Sequence, residues 1–319
     1  NQLITTWMQM LVPDRTQMTD NIRGILLKVT AVSIFTVMMA LIKATSAEVP
    51  VGQQVFFRAF FTLLVVVGWL IARGDFLSAL HTSNIFSHMW RGLSGAAAMS
   101  LRFFALGILT FPEVAALGFT TPLILTVLAA LILGETVRAF RLTTVALGFV
   151  GVLIVLWPTF DVNGDRSTLE LIGAAAILGS AALAALAQIF VRRLVATEGT
   201  AQIVFYFSLL ITFLSFLSLP FGWVVPSFEA ITMLITAGLI GGVGQICLTA
   251  AYRNAPASVV APFDYTSMLL ALAIAYFWFA EIPTGWTILG ALVIIASGVV
   301  IIWREQSLGK LRNRSQVTH

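Results

Sequence analysis

Apolar positions along this chain fall into runs of about 20 residues, divided by short segments that hold most of the proline, glycine and charge. The runs show no period-2 alternation and no one-sided stripe; they are apolar all round. Such segments belong to helices whose surroundings are themselves apolar. About 20 apolar residues, in a range of roughly 17–25, cross the hydrocarbon core as a helix. On that measure the chain predicts ten spans, at 23–44, 52–72, 86–108, 112–134, 141–157, 169–191, 201–220, 228–251, 257–280 and 284–303. A barrel would need alternating segments of about 10 residues, which the sequence does not offer.

Charge then orients the spans. Ten crossings return the chain to the side on which it began. That side holds Arg15, Arg23, Arg73, Arg91, Arg138, Arg141, Arg192, Arg193, Arg253, Arg304, Lys310, Arg312 and Arg314, which is 13 of the 18 basic residues. The opposite loops hold Lys43 and Arg166, while Lys28, Arg58 and Arg102 fall inside spans. Lys and Arg concentrate in cytoplasmic loops. Both termini are therefore expected in the cytoplasm, with the protein integral to a bacterial-type inner (plasma) membrane. Trp69, Trp90, Trp157, Trp223, Trp286 and Trp303 sit near span ends, where an indole anchors at the interface.

The two halves resemble one another. LAALILGETVRAFRLTTVALGFVGVLIVLWP surrounds Glu135, and LAIAYFWFAEIPTGWTILGALVIIASGVVIIW surrounds Glu281. Each is an apolar helix, a glutamate at its end, a short turn and a second apolar helix with a late glycine, Gly151 or Gly298. The glutamates are 146 residues apart, and the same offset sets Gly92 on Gly238 and Gly95 on Gly241. Five spans per half is an odd number, so the second half enters the membrane in the opposite sense. Inverted repeats around a midplane site are a recurring plan of secondary transporters. The expected fold is an all-α polytopic membrane protein, ten transmembrane helices as two inverted five-helix repeats. The expected division is a tail at 1–22, repeats at 23–158 and 159–303, and a basic tail at 304–319.

Composition removes other classes. The chain is 319 residues long, 59% hydrophobic and 10% charged, with mean hydropathy +0.98; a soluble domain carries about 25% charged residues. The net charge of +4 is scattered between apolar runs and forms no patch for nucleic acid. The one cysteine, Cys247, excludes an intrachain disulfide or thiolate cluster. The first apolar run lacks a small-residue cleavage site and reads as a retained helix. Residues 1–20 are given no function. There is no HExxH pair, and His81, His88 and His319 are spaced wrongly for a three-histidine metal site. No GxxxxGK[ST] loop is present, so the chain does not itself use ATP. No cofactor or metal is expected.

The doubled unit, with Gly134-Glu135 ending the fourth span and Ala280-Glu281 the ninth, resembles the EamA-type drug/metabolite transporters. The block RGLSGAAAMSLRFFALGILTFPEVAALGFTTPLILTVLAALILGE is similar to the family's third and fourth helices, and Gln54 to Arg58 to the start of its second. The likeness covers roughly residues 23–303, and among members of known fold it runs toward aromatic amino-acid exporters of the YddG type. The family often has glycine where this chain has Ala280. The resemblance implies carriage of a small metabolite: amino acids for some members, S-adenosylmethionine or nucleotide-linked cargo for others.

Candidate site residues follow from the cost of polarity in lipid. A charge at a helix centre costs about 2.5–3.5 kcal/mol on insertion scales. Arg102 in the third span and Asp264 in the ninth are the foremost candidates, Arg102 for a carboxylate and Asp264 for an ammonium or a proton. In the repeat register Asp264 falls on Gly118, so the charge is unique to the second half. The alternative is that the two pair with each other. Arg58 and Lys28 read as stems that snorkel to the headgroups. Gln245 lies among the glycines of GLIGGVGQICLTAAY, and Tyr252, Tyr265, Trp90, Phe103 and Phe104 offer faces to an aromatic ligand. Pro122 and Pro262 interrupt related spans and are candidate hinges, as are Glu135 and Glu281. The dipole disfavours a glutamate at a helix C-terminus; Arg138 or Arg141 is near Glu135, and no cation is near Glu281 in the sequence. The expected partners are a small-molecule substrate, membrane lipid and protons as coupling ion, with the chain acting as a monomer. The expected activity is secondary transport by alternating access, most simply amino-acid export. The competing readings are an uptake carrier for S-adenosylmethionine or a nucleotide-linked metabolite, and an intramembrane enzyme acting on a lipid.

Overall fold

The computed structural model describes residues 15–74, 76–82, 84–133, 139–157, 168–195, 197–255 and 257–316. They form helices with no strand among them. The long segments are α1 (Arg15–Ala44), α2 (Val51–Arg73), α3 (Ile85–Leu106), α4 in two pieces (Phe111–Gly118 and Thr120–Leu133) and α5 (Ala139–Leu156). The second half repeats them as α6 (Thr168–Val195), α7 (Thr200–Phe216), α8 (Phe228–Asn254), α9 and α10 (Gly285–Gln316). α9 is composite: Ala257–Val260, a 3-10 stretch Ala261–Tyr265, then Thr266–Phe279.

Five stretches, in α1, α2, α4, α6 and α8, are long and apolar enough by themselves to cross a membrane, and α5, α7, α9 and α10 hold shorter apolar ones. α3 is in neither group, because it carries His88, Arg91, Ser94 and Arg102. It buries the first three of these (3%, 4% and 5% exposed). Large apolar side chains such as Phe213, Leu269 and Phe277 are instead exposed on the outside of the bundle. That reversal suits lipid as solvent.

Packing follows the inverted repeat. α1 lies along α8 as α6 lies along α3, and α2 meets α8 as α7 meets α3. α2 with α7, α4 with α9 and α5 with α10 pair across the pseudo-two-fold axis. Small residues allow these approaches, as membrane helices require. A Cβ on Gly238 would meet the Phe57 carbonyl of α2 at 2.9 Å, and Thr62 donates to the Gly238 carbonyl at 3.0 Å. Its register partner Gly92 makes room for a side chain instead, that of Leu210 on α7. The late glycines differ. Gly151 packs on the α10 backbone at Gly290, whereas Gly298 makes room for the Tyr265 hydroxyl.

Candidate functional site

The repeat axis passes between α4 and α9, where both helices tighten. Thr120 donates to the Leu117 carbonyl and Thr121 to the Gly118 carbonyl, at 2.7 and 2.8 Å. At an offset of 146, Thr266 donates to Phe263 and Ser267 to Asp264, at 2.7 and 2.6 Å. These matched hydroxyl bonds fix the register that sets Gly118 on Asp264. They also have a local cause in α4. Pro122 has no N–H for the Gly118 carbonyl four residues back, and the Thr121 hydroxyl supplies the missing donor. Pro262 lies inside the 3-10 stretch of α9, six residues out of register with Pro122, so the two prolines are not equivalent. Phe119 and Tyr265, which are register mates, meet each other with ring centroids 5.3 Å apart. Tyr265 is buried, and its hydroxyl has no hydrogen-bond partner.

The charges around this axis are unequal. On the second-half side, Lys28 of α1 pairs with Asp264 at 2.7 Å and donates to the Tyr252 hydroxyl of α8 at 3.1 Å. Lys28 is 2% exposed, so it does not snorkel. The glycine-lined seam of α1 and α8 (Gly24 on Ala255, Gly244 on Phe35) draws it inside. Asp264 therefore pairs with Lys28 and not with Arg102. On the first-half side, the Arg102 guanidinium rests against Gly118. No hydrogen bond or ion pair holds it among the described residues. Arg102 is four residues from the end of α3, so it lies nearer that end than the sequence suggests.

Arg58 also departs from the snorkelling expectation. It is 5% exposed, its Nη1 lies 3.7 Å from the Met99 sulfur, and its Nε is unpaired. Arg91, counted in the sequence with the loop cations, is inside the bundle. It donates to the Ile203 carbonyl at 2.7 Å and sits 4.1 Å over the Phe207 ring.

Glu281 finds the cation that its own neighbourhood lacks. Lys43, at the end of α1, pairs with it at 2.9 Å and also donates to the Leu109 carbonyl at 2.8 Å. The other carboxylate oxygen accepts the N–H of Phe111, the first residue of α4, at 2.7 Å. The unfavourable C-terminal dipole of α9 is thus offset by the favourable N-terminus of α4. Glu135 lies outside the described residues. Gln53 exchanges two bonds with the backbone of Val224 at this end, at 2.9 and 3.1 Å, and Glu48 accepts from Ser227. At the end that carries the termini, Glu198 holds Thr82 and His88, and Gln202 holds the His81 carbonyl. The halves are therefore tied by a glutamate and a glutamine at both ends.

Of the other candidates, Gln245 is half-buried on α8, one turn from Gly241, which faces Arg58, and two turns from Tyr252, which Lys28 reaches. Phe103 is 2% exposed and belongs to the apolar core. Trp90 and Phe104 are exposed, and Trp90 packs on Phe86. Sequence reasoning did not assign Lys28, Lys43 and Arg58 to the interior. The signal was present, since each is a charge within or at the end of an apolar run, but their partners lie in remote segments.

Two inverted five-helix repeats with ionisable side chains at their shared axis define a polytopic membrane transporter. The chain matches the EamA-like transporter family over residues 22–157 and 171–303, and it belongs to that family. It is 30% identical over 268 residues to the S-adenosylmethionine uptake transporter of Rickettsia prowazekii, covering 83% of this chain and 87% of that protein. It is 28% identical over 282 residues to the pseudopaline exporter CntI of Pseudomonas aeruginosa, covering 87% and 95%. A solved crystal structure shares the fold with TM-score 0.64 at 20% identity, over 89% of this chain and 98% of that one. The protein is thus an integral membrane transporter of a small metabolite.

Proposed function

We propose that the protein is a secondary carrier that exports an amino acid or a close amino-acid derivative across the inner membrane by alternating access. The carrying observation is the unequal charge at the repeat axis. Arg102 is free for a carboxylate, while Asp264 is held by Lys28 and can exchange that partner for an ammonium group or a proton. Tyr252 and Gln245 extend the same side, and Tyr265 with Phe119 forms an aromatic wall at the axis. The inverted repeat supplies the mechanism, since exchanging the conformations of the halves exposes one site to either side in turn. With Arg91 removed to the interior, the basic residues still divide 12 to 2, which supports cytoplasmic termini. The pseudopaline exporter, 95% of whose length is matched, supports export.

A second reading is favoured by a specific observation. The relative that takes up S-adenosylmethionine is 30% identical, and that cargo carries the same carboxylate and ammonium. Counterflow in proteoliposomes with aromatic and aliphatic amino acids, S-adenosylmethionine and nucleotide-sugars separates the readings. Flux of an amino acid is expected. No flux for any of them, with turnover of a lipid instead, would replace the carrier with an enzyme. Asp264→Asn is expected to remove the pH dependence of flux; an unchanged profile takes Asp264 out of the coupling step.

A further inference from the structure

We propose that Gly118 is a vacated acid position, and that the carboxylate of the substrate occupies against Arg102 the place that Asp264 occupies against Lys28. This rests on the carrier reading above and names the feature that selects anionic cargo.

Three observations converge on the position. The hydroxyl bonds of Thr120 and Thr121 reproduce those of Thr266 and Ser267, so the Gly118 and Asp264 backbones are equivalent. Their chain neighbours Phe119 and Tyr265 touch across the axis, so the two positions flank one site. The cations differ in origin. Lys28 reaches Asp264 from α1, whereas Arg102 reaches Gly118 from α3, so that a Cβ on Gly118 would lie 3.6 Å from its guanidinium.

One half therefore holds a complete ion pair, and the other holds a cation with no hydrogen-bond or ion-pair partner among the described residues, set against Gly118. An arginine left without a counter-ion in lipid is costly, and a guanidinium binds a carboxylate in two parallel hydrogen bonds. A ligand carboxylate completes the second pair. An acidic side chain at 118 would complete it permanently and compete with the cargo. Glycine keeps the place open. The space around it is sufficient for the test, because the nearest atom to a Cβ is at ordinary van der Waals distance.

The test compares Gly118→Asp with Gly118→Asn, which match in size and differ in charge. L-phenylalanine and S-adenosylmethionine serve as probes in proteoliposome counterflow. Flux through Gly118→Asn is expected to exceed that through Gly118→Asp by tenfold or more. Equal loss in both variants, with wild-type flux intact, overturns the proposal and leaves the carrier reading standing. Wild-type flux of UDP-glucose, which has no carboxylate, with none of L-phenylalanine or S-adenosylmethionine overturns both. A thermal measurement covers the case in which neither probe is moved. Gly118→Asp is expected to melt higher than Gly118→Asn in the wild-type background and not in an Arg102→Gln background. The same difference in both backgrounds would show that Arg102 does not face this position, and the proposal would fall.

Discussion

Ala280 closes α9 in the left-handed region, at φ 52° and ψ 28°. This is a conformation that glycine adopts without cost and that a Cβ disfavours. A Cβ in this region costs about 1 kcal/mol or more. Ala280→Gly is therefore expected to raise the melting temperature in detergent by about 2 °C; a fall would show that the alanine methyl contributes packing that outweighs the strain. Lys28 and Asp264 form a second residue-scale case. Each would leave the other as an unpaired charge among α1, α8 and α9. Lys28→Met and Asp264→Asn should each destabilise the protein, and the double variant should lose less than the sum, by roughly 1 kcal/mol or more. Strict additivity in thermal unfolding would mean that the pair contributes no coupling.

At the scale of elements, α5 and α10 approach until their backbones touch. A Cβ on Gly290 would meet the Gly151 carbonyl at 2.6 Å and the Val155 nitrogen at 2.8 Å. Those atoms are backbone and cannot swing aside. Gly290→Val is expected to separate the two helices and lower the melting temperature by several degrees, roughly the 1–3 kcal/mol of an overpacked core. An unchanged melting point would show that the pair slides freely. The kink regions of α4 and α9 carry a different lesson. Paired prolines suggest paired hinges, but Pro122 and Pro262 sit at unrelated register positions. The equivalent features are the hydroxyls of Thr120 and Thr121, just before Pro122, and of Thr266 and Ser267, just after the 3-10 stretch that holds Pro262. Those bonds could not be read from proline spacing, because they depend on which carbonyl the tightened turn leaves free.

For the whole molecule, transport by alternating access requires that ties between the halves break at one end at a time. The structure carries such ties at both. Glu198 and Gln202 grip Thr82, His88 and the His81 carbonyl at the end with the termini. Glu48, Gln53 and the Lys43–Glu281 pair act at the other. Glu198→Gln weakens one set alone. It is expected to raise hydrogen–deuterium exchange at residues 80–82 while leaving segment 222–227 protected. Equal exchange at both ends would show that the ties do not work independently.

By itself, the sequence determined the number of spans, their inverted repetition, the register of 146 and the family. It also marked Arg102 and Asp264 as charges within apolar spans. These properties are local: each segment must meet lipid with its own side chains and close its own backbone bonds, and a repeat is written along the chain. Only the tertiary structure decided which charges meet. Glu281 caps Phe111 from 170 residues away, and Lys28 and Arg58, which look like snorkelling stems in sequence, are drawn inside by glycine-lined helix contacts. The interior of this bundle is a matter of which faces are turned toward one another, and a segment that is apolar all round does not say which of its faces that will be.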